Sequence, residues 1–356
     1  MQKKERNMGI ELLRIICMMC MIVQHIIGHG WIIQSLHEGT WKYDLVIALR
    51  SWCTCGINCF ALISGYVGVR ARYKYSSIVL QWSKMWVYSV FFTLLASVVF
   101  PGTISSKAWI QAIFPTLHGL FWYFSAYMAC YAIAPMIRIA MRRMTFKQAS
   151  VSLGITFVMF SLLSHSFGTD AFYVGSGKNT IWLIILYIYG AYFGWFKPHE
   201  NVSKWILGCF VVITSASAVL TQPVAQRLGI AQLSGDLYWS STLRMLALAV
   251  ALLLFFSRVE VKRGKKLVAW LGGASFGVYV LHEQPQIRYY TISKHAYRLT
   301  ELGNVEIVIG IILASAVMYL ACALIDALRE KIYRALRVRQ RLEVLEERLL
   351  GDLWAD

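Results

Sequence analysis

The chain has 356 residues, 58% of them hydrophobic and only 15% charged, with a formal net charge of +17 at neutral pH. Charge this sparse excludes an ordinary water-soluble domain of that length. The apolar residues arrive in runs of roughly 18–22, which also excludes a transmembrane barrel of about ten-residue alternating strands.

The expected fold class is therefore all-α, a polytopic integral membrane protein, because backbone in lipid is satisfied only within helices or a closed barrel. Ten spans are expected, at approximately 9–29, 45–67, 77–99, 119–137, 148–165, 180–196, 205–221, 238–257, 268–285 and 305–325. No internal repeat, long linker or low-complexity stretch separates them. Residues 1–325 are expected to form one transmembrane domain, followed by a cytoplasmic amphipathic tail over 326–356. The opening "MQKKERNMG" and its apolar run could pass for a signal peptide. The run is too long for one, polar residues interrupt it and no small-residue cleavage site follows, so it reads as a retained first helix.

An N-terminus in the cytoplasm places most of the 35 Lys and Arg at cytoplasmic ends, from Arg6 through Arg70, Arg72 and Lys74 to "RVEVKRGKK" and the tail. That bias gives an N-in, C-in orientation. It also accounts for the basic charge without nucleic acid, since the cations would stand in a row beside lipid headgroups.

The first span, "GIELLRIICMMCMIVQHIIGHG", carries Glu11, Arg14, His25 and His29. Each ionisable group at a helix centre costs roughly 2.5–3.5 kcal/mol to insert, so their presence asks for a reason. Glu11 and Arg14 can pair at i,i+3 or snorkel to the cytoplasmic surface. His25 follows Arg14 by eleven residues, three turns with about 20° of drift, so the two share a face about 16 Å apart. An isolated intramembrane histidine is as often an interhelical hydrogen-bonder as a catalyst.

In the second span, Cys55 and Cys59 stand one turn apart in "SWCTCGINCF". With no His or carboxylate beside them they read as packing residues, and no metal site is expected. Arg70, Arg72 and Lys74 close that span and suit lipid headgroups or the phosphates of a cytoplasmic ligand. Lys84 lies a turn or two inside the third span. Trp122 and Tyr123 open the fourth, where they either line a cavity or mark the interface, as Trp31, Trp41, Trp109 and Trp239 are expected to do. Arg244 is an intramembrane cation of the eighth span, with Asp236 its candidate partner. The ninth holds "LGGASFGVYVLHEQP", in which Ser275, Tyr279 and His282 share one face. This helix runs in the same direction as the first, so His282 and His25 are expected at similar depth.

Taken in order, Arg14-x10-His25 with Glu11 before it, "FALISGY", "FWYFSAYMACYAIAP" and "ASFGVYVLHE" resemble the membrane-bound acyltransferase 3 family across nearly the whole chain. The resemblance implies transfer of an acyl group, usually acetyl from acetyl-CoA, to a hydroxyl of an extracytoplasmic or lipid-linked glycan. It implies a bacterial cytoplasmic-membrane setting, no resident cofactor, and Arg14 and His25 as the functional pair. The family tends to carry an arginine pair three apart where the third helix begins. This chain has Arg70, Arg72 and Lys74 there, then Gln81 and Lys84.

On that basis Arg14, Arg70, Arg72 and Lys84 are expected to receive acyl-CoA, and His25 to act as base or acyl carrier. Ser275, Tyr279 or His282 would donate to the oxyanion. Acceptor choice would lie in loops 166–179 and 286–304. The tail, "REKIYRALRVRQRLEVLEERLLGDLW", is expected to be an interfacial helix or a homo-oligomer contact. A transporter or flippase for a sugar or amino acid would equally use intramembrane His, Arg and Glu. The missing repeat argues against it.

Overall fold

The first helix starts where the sequence provides a cap. The side chain of Asn7 accepts the Ile10 N–H, satisfying one of the amides that a helix start leaves without a partner. In this computed structural model, which describes residues 6–164, 170–229 and 239–351, α1 then runs over Met8–His29. It is followed by α2 (Trp41–Cys53), α3 (Gly56–Gly68), α4 (Tyr75–Val99) and the short α5 (Ser106–Ile113). Next come α6 (Trp122–Arg143), α7 (Phe146–Phe157, prolonged by π-helix to Leu163), α8 (Thr180–Phe196) and α9 (Lys204–Arg227). The last are α10 (Leu243–Phe256), α11 (Lys265–Glu283), α12 (Pro285–Ile287), α13 (Glu306–Ala335) and α14 (Val338–Leu350). Side-chain caps recur, with Thr40 on α2, Asn179 on α8, Thr242 on α10 and a reciprocal Thr145–Gln148 box on α7.

Every regular element among the described residues is helical, and each of the ten expected spans contains a helix. Among the described residues seven helical segments are long and apolar enough to cross a membrane, fewer than the ten expected. The reason is local. The apolar helices α8 and α10 have only 17 and 14 residues, and α11 is diluted by two lysines, paired glycines, His282 and Glu283. The second expected span divides into α2 and α3 at Thr54 and Cys55. The eighth was expected from 238, which lies outside the described residues. α13 continues through the expected domain boundary at 325 as far as Ala335.

The interior is built around α1 and α3. α1 packs on α3, α11 and α13, and α3 lies along α8. Lipid is as apolar as leucine, so helices hold together there by close backbone approach rather than by expulsion of water. Gly65 and Gly190 provide it: a Cβ on either would stand 2.0 Å from a carbonyl oxygen of the facing helix, Tyr187 or Leu62. On the outside, Val212 and Ile213 of α9 and Val317 and Leu324 of α13 are exposed, a lipid-facing arrangement. A buried pair joins α13 to α4: Asp326 Oδ1 accepts from Arg329 at 2.7 Å and from the Tyr88 hydroxyl at 2.7 Å.

One end of the bundle gathers the start of α1 with the ends of α3, α6, α8 and α10. Asn7 donates to Ser257 O, Arg138 to Ala71 O and Arg258 to the carbonyls of His199 and Val202. The tail returns to this same end. Arg337, in the left-handed region at φ 51°, turns the chain between α13 and α14. α14 then docks beside the start of α4, where Glu343 pairs with Lys74 at 2.9 Å. Glu346 accepts the Tyr75 N–H at 2.6 Å and the Ser76 N–H at 3.1 Å. It thus caps α4 from a distant part of the sequence.

Candidate functional site

α1 and α11 run side by side in the same direction, so the end of one faces the end of the other. His25 Nδ1 lies 2.8 Å from His282 Nε2 and 3.0 Å from Glu283 Oε1. Glu283, which is 9% exposed, also stands 3.9 Å from His29 Nε2 and 3.5 Å from Arg288. The other ring nitrogen of His282, Nδ1, is 2.7 Å from the Val278 carbonyl. A carbonyl only accepts, so that nitrogen carries the proton, and a neutral His282 presents a bare Nε2 to His25. His25 Nδ1 must then be the donor, toward His282, with the Glu283 carboxylate beside it, and the lone pair of His25 falls on Nε2. Two residues of α11, Val278 and His282, thus fix the tautomer that leaves His25 basic at Nε2. The ligand atoms of His25, His29 and Glu283 lie within 4.8 Å of one another, a spacing that a cation could bridge.

Beneath this cluster is a cavity of about 440 Å³. Met21 and Tyr279 line its inner end, one turn before His25 and His282 on their helices, together with Tyr123, Phe124 and Phe60. Its mouth, at the end of the bundle that gathers the start of α1, carries Arg6, Arg14, Lys84 and Arg339. Among the described residues Glu11 is the one carboxylate in the lining, and it holds Arg14 at 2.7 Å, the i,i+3 pair. α11 admits Glu11 because residue 272 is glycine; a Cβ there would meet Glu11 Oε2 at 2.5 Å. The buried atoms Glu11 Oε2, Gln81 Oε1 and the Tyr123 hydroxyl belong to this lining and make no hydrogen bond among the described residues. Unsatisfied polar atoms around a cavity are where a ligand's polar groups belong.

Of the expected site residues, Glu11, Arg14, Lys84, Ser275 and Tyr279 line this cavity, and His25 and His282 meet just above it. Arg70 and Arg72 do not line it. Arg70 donates to Gly194 O at 2.8 Å and Trp195 O at 2.6 Å, closing the end of α8 and lying over the Trp195 ring. Arg72 is exposed. The Ser275 hydroxyl is 3.2 Å from that of Tyr319, which itself donates to Leu271 O at 2.9 Å. Ser275 is therefore the donor in that contact, and its one proton is already engaged. Both nitrogens of His282 are engaged as well. The tyrosines at the inner end, Tyr123 and Tyr279, are left as hydroxyl donors. Arg244 lies in α10, and Asp236, its candidate partner, is outside the described residues.

Sequence reasoning passed over Glu283, Arg6 and Arg339 as site residues and left Tyr123 as either cavity-lining or interfacial; it lines the cavity. Glu283 had a signal, being a carboxylate adjacent to an intramembrane histidine in "LHEQP". Arg339 had none, because nothing in a tail of alternating charge tells which cation turns back to the bundle.

A family model described as an acyltransferase domain, that of the acyltransferase 3 family, matches residues 7–326. No curated protein and no solved structure matches the chain.

Proposed function

The chain belongs to the acyltransferase 3 family and is a membrane acyltransferase, and from that premise we propose that it moves an acetyl group from cytoplasmic acetyl-CoA to a hydroxyl of an extracytoplasmic or lipid-linked glycan, across a bacterial cytoplasmic membrane with both termini inside. The observation that carries this reading is the pairing of a basic-mouthed cavity with a histidine whose tautomer is fixed just beyond the cavity's inner end.

In this reading Arg14, Lys84 and the other mouth cations hold the phosphates of the donor. Its pantetheine arm lies along the aromatic interior and passes between Met21 and Tyr279. The acceptor arrives from the opposite end, where His29 and Arg288 stand beside Glu283. His25 Nε2 takes the acceptor's hydroxyl proton as the oxygen attacks the thioester carbonyl. The imidazolium that forms is stabilised by Glu283 at Nδ1. Tyr123 or Tyr279 donates to the carbonyl oxygen as it gains negative charge. The tetrahedral intermediate then collapses with loss of the C–S bond, and the thiolate recovers the proton from His25. The products are the O-acetyl ester and free CoA.

The test is purified protein in lipid nanodiscs with radiolabelled acetyl-CoA and a panel of lipid-linked and polymeric glycans, wild type beside His25→Ala. Label entering a glycan with the wild type alone supports the reading and identifies the acceptor class. Equal labelling by His25→Ala would remove His25 from the chemistry.

A further inference from the structure

The family-matched region ends at residue 326, yet the cavity mouth includes a side chain from beyond it. We infer that Arg339, carried by the first turn of α14, completes the binding surface for the phosphates of the acyl-CoA donor. The inference rests on the donor reading above and adds to it a residue outside the family's shared domain.

Three observations place Arg339 there. The left-handed turn at Arg337 reverses the chain immediately after α13, so α14 is directed back across the mouth. The docking of α14 is specific, with Glu343 on Lys74 and Glu346 on the first two amides of α4. Arg339 then joins Arg6, Arg14 and Lys84 around a mouth whose carboxylate, Glu11, is already paired with Arg14. Four cations facing one neutralised acid would repel one another in an apolar setting, and a polyanion relieves that repulsion. A guanidinium, with its planar fork of donors, matches phosphate oxygens better than an ammonium does. An anionic lipid headgroup offers the same phosphate chemistry, so the test must separate the two sources.

The experiment measures equilibrium binding of radiolabelled acetyl-CoA to full-length protein in phosphatidylcholine nanodiscs, with acetyl-pantetheine, which has no phosphate, as a competitor. Arg339→Gln is expected to weaken acetyl-CoA about tenfold, equivalent to ~1.4 kcal/mol, and to leave acetyl-pantetheine competition unchanged. Arg339→Lys should recover part of the loss, and Glu346→Gln, which unseats α14, should weaken acetyl-CoA in the same direction. Unchanged acetyl-CoA affinity in Arg339→Gln would overturn the inference and leave the donor reading intact. So would equal weakening of both ligands, which marks a structural effect, or an effect confined to discs containing phosphatidylglycerol, which assigns the cation to lipid. If folded wild-type protein binds no acetyl-CoA at all, the donor reading itself fails and takes the inference with it.

Discussion

Replacing Glu283 by glutamine tests the site's chemistry most directly, because it removes a charge and keeps the shape. Glu283 is nearly buried, with one oxygen 3.0 Å from His25 Nδ1. When His25 takes up the acceptor proton at Nε2, that contact becomes an ion pair between an imidazolium and a nearly buried carboxylate, while the Nδ1 proton stays directed at His282. Measured couplings between close charge pairs start at ~1.5 kcal/mol, which at the transition state is a factor of roughly 10 or more in rate. The amide introduced by Glu283→Gln would keep a hydrogen-bonding group beside His25 but not the charge. His282 Nε2 would still accept from His25 Nδ1, so the tautomer survives. The loss should therefore fall short of the ~10⁴-fold that follows when a catalytic histidine is left in the wrong tautomer. The carboxylate acts on the protonated state, so kcat and kcat/KM should fall together while KM stays nearly constant. The assay is acetyl transfer from labelled acetyl-CoA to the acceptor identified with wild type, across donor concentrations. Activity within threefold of wild type, or a loss confined to KM, would refute the role given to Glu283.

Gly190→Ala places a methyl 2.0 Å from the Leu62 carbonyl oxygen, a backbone atom that cannot swing aside. It should destabilise the α3–α8 contact by about 1–3 kcal/mol or more, seen as a lower thermal midpoint in detergent; an unchanged midpoint contradicts the packing described. Arg70→Gln removes two hydrogen bonds to the end of α8. It should lower the same midpoint and leave acetyl-CoA affinity within about twofold, since neither hydrogen bond belongs to the cavity lining; a tenfold loss of affinity would return Arg70 to the donor site. Docking of α14 should depend on pH. Partial burial opposes ionisation of Glu346, but the hydrogen bonds from Ser76 and Tyr75 and the charge of Lys74 outweigh it and lower its pKa from the ordinary 4.5. A carboxyl with a lowered folded-state pKa stabilises docking above its ordinary value and loses that contribution as pH falls through the lowered one. The protection of α14 amides, corrected for their intrinsic exchange rates, should therefore fall on acidification below pH 4.5 in the wild type. Glu346→Gln should lack that protection at neutral pH already; protection independent of pH in the wild type would argue against the cap.

Helix placement was legible because apolar run length is set by the bilayer, and each expected span found a helix. Arg14 and His25 could be set on one face from spacing alone, and similar depth for His25 and His282 followed from parallel helix direction. Their 2.8 Å contact is a tertiary fact that no single helix encodes. So is the position of Arg70, whose charge suggested a ligand and two of whose donors bond carbonyls at the end of α8. The break between α2 and α3 was hidden because "SWCTCGINCF" is apolar throughout, and hydropathy cannot see a change of helix axis. Arg339 was illegible for a similar reason: its position depends on one left-handed residue, Arg337, of a type that rarely signals a turn.

The cap that Glu346 places on α4 also sets an order of events during synthesis. Tyr75 and Ser76 leave the ribosome about 270 residues before their hydrogen-bonding partner, a delay of roughly 15–55 s at ordinary rates of elongation. Through that interval the first turn of α4 must find water for its amides, and the cavity mouth lacks both its strap and Arg339. The basic rim is completed by α14, which is translated after α1 through α13. A nascent chain can therefore insert those thirteen helices and still present an unfinished entrance until α14 has been made and has folded back.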